Sequence, residues 1–335
     1  MKLTMRMLVA AVAVAAVGLA AAPTQVHAEA TSLRAAKQFG LGYVQYMIME
    51  DQKLVEKFAK AAGLGDIKVE WNTFRSSDVM NDALISGNVD FVSLGVPGIM
   101  TIWNRTKGII DVKAAAGLNS LPLGLMVRDE IKSLKDFKDG HKIALPAVRV
   151  SNQAILLQMA AEKEFGEGQH TKLDSLTVSM SHPDATIAMV SGSKDITANF
   201  SSVPFQQRQA KTPGITRLTD STKILGGAFS FNVVATTTKF RAENPKLYKA
   251  YLDALNEATD IVNRDKKLAA ETYLRMSKDK SPVEDILALL NDPEHVFTTK
   301  ISAMEPMILF MARTGNYKHK PTSAKELLFP EAQLQ

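Results

Sequence analysis

The chain has 335 residues, a hydrophobic content of 46%, a net charge of +5 and no cysteine. A chain of this size can bury most of its apolar surface, and two compact units are expected rather than one. The missing cysteine excludes disulfides and thiolate nucleophiles, and basic residues interleaved with acids exclude the clustered stripe of a nucleic-acid binder.

Lys2 and Arg6 precede an apolar run over residues 8–22, Pro23 breaks it, and Val26-His27-Ala28 follows. This is the pattern of a cleavable signal peptide over residues 1–28, with cleavage before Glu29. The run is shorter than the ~20 apolar residues of a membrane span. With no cysteine available for acylation, the expected mature protein is soluble and periplasmic.

Strand-like and helical runs then alternate. Residues 33–39, 67–72, 90–94 and 112–117 read as strands, with helices predicted over 44–62, 78–86 and 97–105. A second set has strands at 142–145, 176–180, 195–198 and 215–218, and helices at 151–164, 183–191 and 200–210. Such alternation predicts parallel strands covered by helices. "PLGLMVR" (122–128) and "AFSFNVVATTT" (228–238) are extended crossings between the sets.

Beyond residue 238 the chain turns helical. Asn244-Pro245 predicts a side-chain cap with proline at the first helical position, and Leu247, Tyr251, Ala254, Leu255, Ala258 and Val262 mark one apolar face. Ser281-Pro282-Val283-Glu284 predicts a capping box opening another helix. "ALISGNVDFVS" from Ala83 and "AMVSGSKDITA" from Ala188 echo each other at a spacing of 105 residues. Each reads as a helix end, a Ser-Gly stop and an Asp that opens a strand. The glycine is suited to the left-handed conformation that ends a helix.

Four stretches carry a family resemblance: "WNTFRSSDVMNDALISGNVDFVSLGVPGI" (71–99), "ALPAVRVSNQAILLQMA" (144–160), "PDATIAMVSGSKDITANFSSVPF" (183–205) and "FSFNVVATTTKFRAENPKLYKAYLDAL" (229–255). In order and spacing they resemble the solute-binding proteins of ABC importers, in the group that binds nitrate, taurine and alkanesulfonates. The resemblance implies a two-lobed α/β fold of the type II periplasmic binding protein class, with two crossover strands as the hinge. Lobe one would comprise 29–122 and 236–335, and lobe two 123–235 with the hinge crossings. It also implies an ABC permease of the inner membrane as partner, a small-molecule solute as cargo, a monomer, and neither nucleic acid nor cofactor.

In open α/β sheets, ligands sit outside the carboxyl ends of the strands. The loops there supply Gly42 and Tyr43; Phe74, Ser76 and Ser77; Ser93 and Gly95; Arg149, Ser151 and Asn152; and Asn199 and Ser201. Phe229 and Ser230 lie on the return crossing. Ser76, Ser77, Ser151 and Asn152 head helices, and free helix N–H groups with hydroxyls suit an oxyanion. The same residues also serve as ordinary helix caps. Arg149 and Arg75 could grip a carboxylate or sulfonate, or could be solvated surface arginines. Phe39, Tyr43, Phe74, Phe205 and Phe229 could supply an aromatic wall.

Some better-known members of the group carry an acid where this chain has Leu94-Gly95-Val96-Pro97, or Asp before the Pro-aromatic pair where it has Val203-Pro204-Phe205. Without those carboxylates, an aminated solute is less expected than a sulfonate, carboxylate, small inorganic anion or neutral heterocycle. No histidine stands at metal-ligand spacing with a second ligand, and no phosphate-binding or nucleophile-elbow motif occurs. The pyrimidine synthases of thiamine biosynthesis resemble this fold but depend on a cysteine-rich segment absent here. The expectation is a binding protein and not an enzyme; a ligand-responsive partner of a membrane sensor is the alternative.

Overall fold

The computed structural model describes residues 28–334, so the predicted signal peptide lies essentially outside the described part. Strand β1 (Ser32–Lys37) leads through a tight turn into α1 (Val44–Asp51) and α2 (Leu54–Ala61). There follow β2 (Lys68–Thr73), α3 (Ser77–Ile85), β3 (Phe91–Leu94), α4 (Val96–Thr106) and β4 (Val112–Ser120). The chain then builds β5 (Gly124–Arg128), β6 (Ile143–Leu145), α5 (Asn152–Phe165), β7 (Thr177–Ser179), α6 (His182–Val190), β8 (Ala198–Ser201), α7 (Phe205–Ala210), β9 (Ile215–Asp220) and α8 (Ser221–Leu225). It returns through β10 (Asn232–Thr237) to α9 (Thr238–Glu243), α10 (Pro245–Arg264), α11 (Lys266–Ser277), α12 (Val283–Asn291), β11 (Val296–Phe297) and α13 (Glu305–Thr314).

Two sheets result, in the orders β11-β4-β10-β3-β1-β2 and β7-β6-β8-β5-β9. Each holds three parallel strands, β2-β1-β3 or β7-β6-β8, next to one antiparallel strand. That antiparallel strand is the crossing that has just arrived from the other half: β5 follows β4 into the second sheet, and β10 follows β9 into the first. The two halves are therefore tied together by both crossings.

The echo at a spacing of 105 residues is built in three dimensions. Helices α3 and α6 run over Ser77–Ile85 and His182–Val190, and Gly87 and Gly192 follow them with φ of 71° and 77°. Strands β3 and β8 then occupy the same place in their sheets, beside the antiparallel crossing strand. The predicted apolar face of α10 is wholly buried.

Four local expectations are overturned. The helix expected over 44–62 breaks in two at Lys53, whose left-handed backbone turns the chain so that α2 packs on α10. The helix expected from residue 200 starts at Phe205, because Phe200 and Ser201 are still in the β8 ladder, paired with Leu125 and Gly124. Asn244 does not cap α10: its side chain accepts from the Ala30 N–H at 2.7 Å, and the Glu29 carboxylate takes the Lys246 and Leu247 N–H groups instead, at 3.0 and 2.8 Å. The capping box at Ser281 does not form; Pro282 is the cap residue of α12, and the Ser281 hydroxyl accepts from Arg208.

No helix among the described residues is long and apolar enough to cross a membrane.

Candidate functional site

The carboxyl ends of the parallel strands of both sheets face each other, and two adjoining cavities lie between them. The inner one, about 20 Å³, is lined by Gln38, Phe39, Tyr43, Ser77 and Gly95 together with Phe231 and Asn232 at the start of β10. From the opposite half come Pro146, Ser151, Asn152, Gln153 and His182, around the first turns of α5 and α6. The outer chamber, about 700 Å³, is walled by the ends of β1 and β2, by Pro183, Phe205 and Arg208, by Tyr273, Met276 and Ser277 in the last turns of α11, and by residues 278–281 after it. Gln38 and Phe39 line both spaces and so stand between them.

Around the inner cavity, hydrogen bonds cross between the halves. The Asn152 amide donates to the Phe231 carbonyl at 2.7 Å, while its oxygen accepts from the Val96 N–H at 3.0 Å. Gly95 leaves room for this clamp: a Cβ there would lie 2.5 Å from the Asn152 amide nitrogen. Nearby the Leu41 N–H donates to the Val203 carbonyl at 3.1 Å. Ser151 caps α5, accepting from the Ala154 N–H at 3.2 Å and donating to the Ala147 carbonyl at 2.6 Å. Ser77 accepts from the Gln38 amide at 3.3 Å.

His182 is buried, stacked on Phe205 with ring centroids 5.7 Å apart, and burial pushes its pKa down to about 4. Gln153 Nε2 lies 3.3 Å from His182 Nε2. An amide nitrogen only donates, so the ring accepts there and carries its proton on Nδ1. Two buried side-chain atoms of the inner lining have no partner among the described residues: His182 Nδ1 and Asn232 Nδ2. Both are donors. Burial raises the Tyr43 phenol well above its usual range, so it too stays protonated.

The outer chamber mixes apolar and charged walls. Phe39, Trp71, Phe205, Tyr273, Met47 and Met276 supply the apolar surface. Lys37, Arg208, Lys278 and Lys280 face it against only Glu50 and Asp279. Lys37 pairs with Glu50 and lies 5.5 Å from the Trp71 ring centre. Arg208 pairs with Asp279 across the chamber rim. Burial would lift the Asp279 carboxyl, but the Ser281 N–H and hydroxyl and the Arg208 guanidinium hold it below the usual range.

Of the residues predicted from sequence, Tyr43, Ser77, Gly95, Ser151 and Asn152 come together around the inner cavity, and Phe39 and Phe205 reach the outer chamber. The others lie outside both. Arg75 and Arg149 are exposed. The Ser76 hydroxyl bonds to the Asp78 carboxylate, and Phe74 donates its N–H to the Lys37 carbonyl at 2.8 Å. Gly42 accepts from the Asn119 amide, and Ser93 is buried beneath the inner lining beside Tyr43. Asn199 is not in a cleft loop: it sits in β8 opposite Met126 and Ala144, on the face covered by α6, because the strand runs three residues further than expected. Ser201 accepts from Gln209 at 3.2 Å. Phe229 is core, and Ser230 exchanges hydrogen bonds with Ser302.

Gln38, Gln153, His182 and Asn232 were missed. Gln153 and His182 each stand in the first turn of a helix already singled out, so the reasoning that found Asn152 reaches them. For Arg208 and Asp279 no local signal exists.

Comparison with known proteins agrees with this architecture. The family model described as NMT1/THI5 like matches residues 65–267. No curated protein matches the chain. The alkanesulfonate-binding protein SsuA of Xanthomonas axonopodis pv. citri, solved with MOPS, superposes with a TM-score of 0.68 at 15% identity, covering 92% of this chain and all of that one. The periplasmic aliphatic sulphonate-binding SsuA of Escherichia coli gives 0.61 at 17% identity over 84% of this chain and 90% of that one. The periplasmic nitrate-binding NrtA of Synechocystis PCC 6803 gives 0.60 at 16% identity over 78% and 70%. The fold is thus that of the periplasmic binding proteins.

Proposed function

Because this chain belongs to the NMT1/THI5-like family and carries the periplasmic binding protein fold, we propose that it captures a small organic oxyanion for an ABC importer. The ligand class would be a sulfonate or carboxylate with an apolar body. The observation that carries this reading is the donor surplus of the inner cavity, where the unpartnered buried atoms, His182 Nδ1 and Asn232 Nδ2, both donate. A buried donor without a partner costs about 1–3 kcal/mol, and an oxyanion removes two such costs at once. Neutral His182 would act as a dipolar donor and not as a counter-ion.

The outer chamber supports an organic body over a bare inorganic anion. Its volume of about 700 Å³ falls in the range of small-molecule sites, and its aromatic and methionine walls suit apolar groups. Its basic excess would favour the anion's approach.

In this reading the signal peptide is removed in export to the periplasm. Lobe one is the half built on the first sheet, lobe two the half built on the second, and the crossings that lead into β5 and β10 flex as the hinge. A solute that touches both lobes favours closure only by its differential affinity for the closed state. No covalent step is involved, so the protein acts as a binder and not as an enzyme.

Titration calorimetry on ligand-stripped protein tests this, with alkyl and aryl sulfonates and carboxylates set against nitrate and neutral pyrimidines. Organic anions are expected to bind at micromolar affinity or tighter, about −8 kcal/mol, with nitrate much weaker. Binding confined to neutral pyrimidines would overturn the oxyanion reading while leaving the solute-binding role.

A further inference from the structure

We propose that Arg208 is a positioning residue for lobe closure, the moving half of a latch whose fixed half is the Asp279 carboxylate. Arg208 lies on α7, which packs on β5, β9 and α6 in the second-sheet half. Asp279 lies in the turn between α11 and α12, and α11 packs on α1 and α10 in the first-sheet half. One guanidinium nitrogen donates to both Asp279 oxygens, at 2.7 and 2.6 Å, and to the Ser281 hydroxyl at 3.2 Å.

The carboxylate is built to receive it. Asp279 also accepts from the Ser281 N–H at 2.9 Å and from the Tyr273 hydroxyl at 3.3 Å, and its side chain is only 5% exposed. These donors fix the carboxylate within its own half whether or not Arg208 is present. Three residues on, Lys211 at the end of α7 pairs with Asp285 of α12 at 2.7 Å and adds a second charged contact across the same seam. Both Arg208 and Asp279 line the outer chamber, so the pair closes its rim. The chain connects the two elements only through the hinge crossings, so a rotation that opens the halves separates them. The pair therefore lowers the free energy of the closed state alone, and it acts before any ligand contributes.

The test is a double-mutant cycle of Arg208→Gln, which removes the guanidinium, and Asp279→Asn, which is near-isosteric and removes the charge. Small-angle scattering of the ligand-free protein supplies one readout, independent of what the cleft binds. The dissociation rate of benzenesulfonate supplies the second, and only this arm rests on the oxyanion reading. Each single variant is expected to raise the radius of gyration, to expand no further with added salt, and to speed dissociation about ten-fold. The double variant is expected to be no more open than either single. Unchanged scattering in both single variants, or effects that simply add, would overturn the latch. A merely structural pair would lower the unfolding temperature and leave the radius of gyration alone. Should benzenesulfonate fail to bind, the scattering cycle still decides.

Discussion

His182 joins the chemistry of the cleft to the stability of the protein. Its ring is buried against Phe205 and accepts from Gln153, and desolvation pushes its pKa down to about 4. The unfolded chain titrates near the ordinary value of about 6.5. Between those values the unfolded state binds a proton that the folded state refuses. Stability contributed by neutral His182 is therefore complete above pH ~6.5 and lost as pH falls towards 4, by about 3 kcal/mol in all. Urea unfolding of His182→Gln is expected to show a correspondingly flatter dependence between pH 7 and 4. A slope equal to that of the parent chain would mean that His182 titrates normally. At this scale the sequence was only partly legible. Ser151 behaves as the cap its position suggests, but the use of Asn152 as a clamp depends on a carbonyl 79 residues away.

Elements were easier to read than residues. Strand and helix succession, the two crossings and the apolar stripe of α10 follow from periodicity, because side-chain direction repeats every two residues in a strand and about every 3.6 in a helix. The 105-residue echo was legible for the same reason: a helix stop needs a left-handed residue, and glycine adopts that conformation at little cost. Gly87 and Gly192 both have positive φ, and neither would meet a neighbour if a Cβ were added. Gly87→Ala and Gly192→Ala are accordingly expected to destabilise the protein by similar amounts, about 1–2 kcal/mol each, through backbone strain alone. Thermal unfolding of the two variants checks this; a cost at one site only would show that the halves share topology without sharing the local constraint. Where element reading failed, a distant partner had intervened. Ser281 serves Arg208 and not its own helix, and Glu29 caps α10 from the other end of the chain.

The whole molecule is held as two halves that meet around the cleft. Asn152 spans the meeting line, and its removal leaves the Val96 N–H and the Phe231 carbonyl without their partner. Asn152→Ala is expected to cost about 1–3 kcal/mol in urea unfolding and to weaken solute binding in calorimetry. Full stability with full affinity would show that water replaces the amide without loss.

The sequence by itself determined that the chain is α/β, that two runs of strands and helices are joined by two extended crossings, and that the helix starts at Ser77 and Ser151 stand at the cleft. Those properties are local, set by periodicity, caps and stops within a few residues. Only the tertiary structure decided that the unpartnered donors are His182 and Asn232, where the charged rim lies, and that Arg208 meets Asp279. These depend on contacts between residues far apart in sequence, and no local pattern encodes the distance at which two halves come to rest.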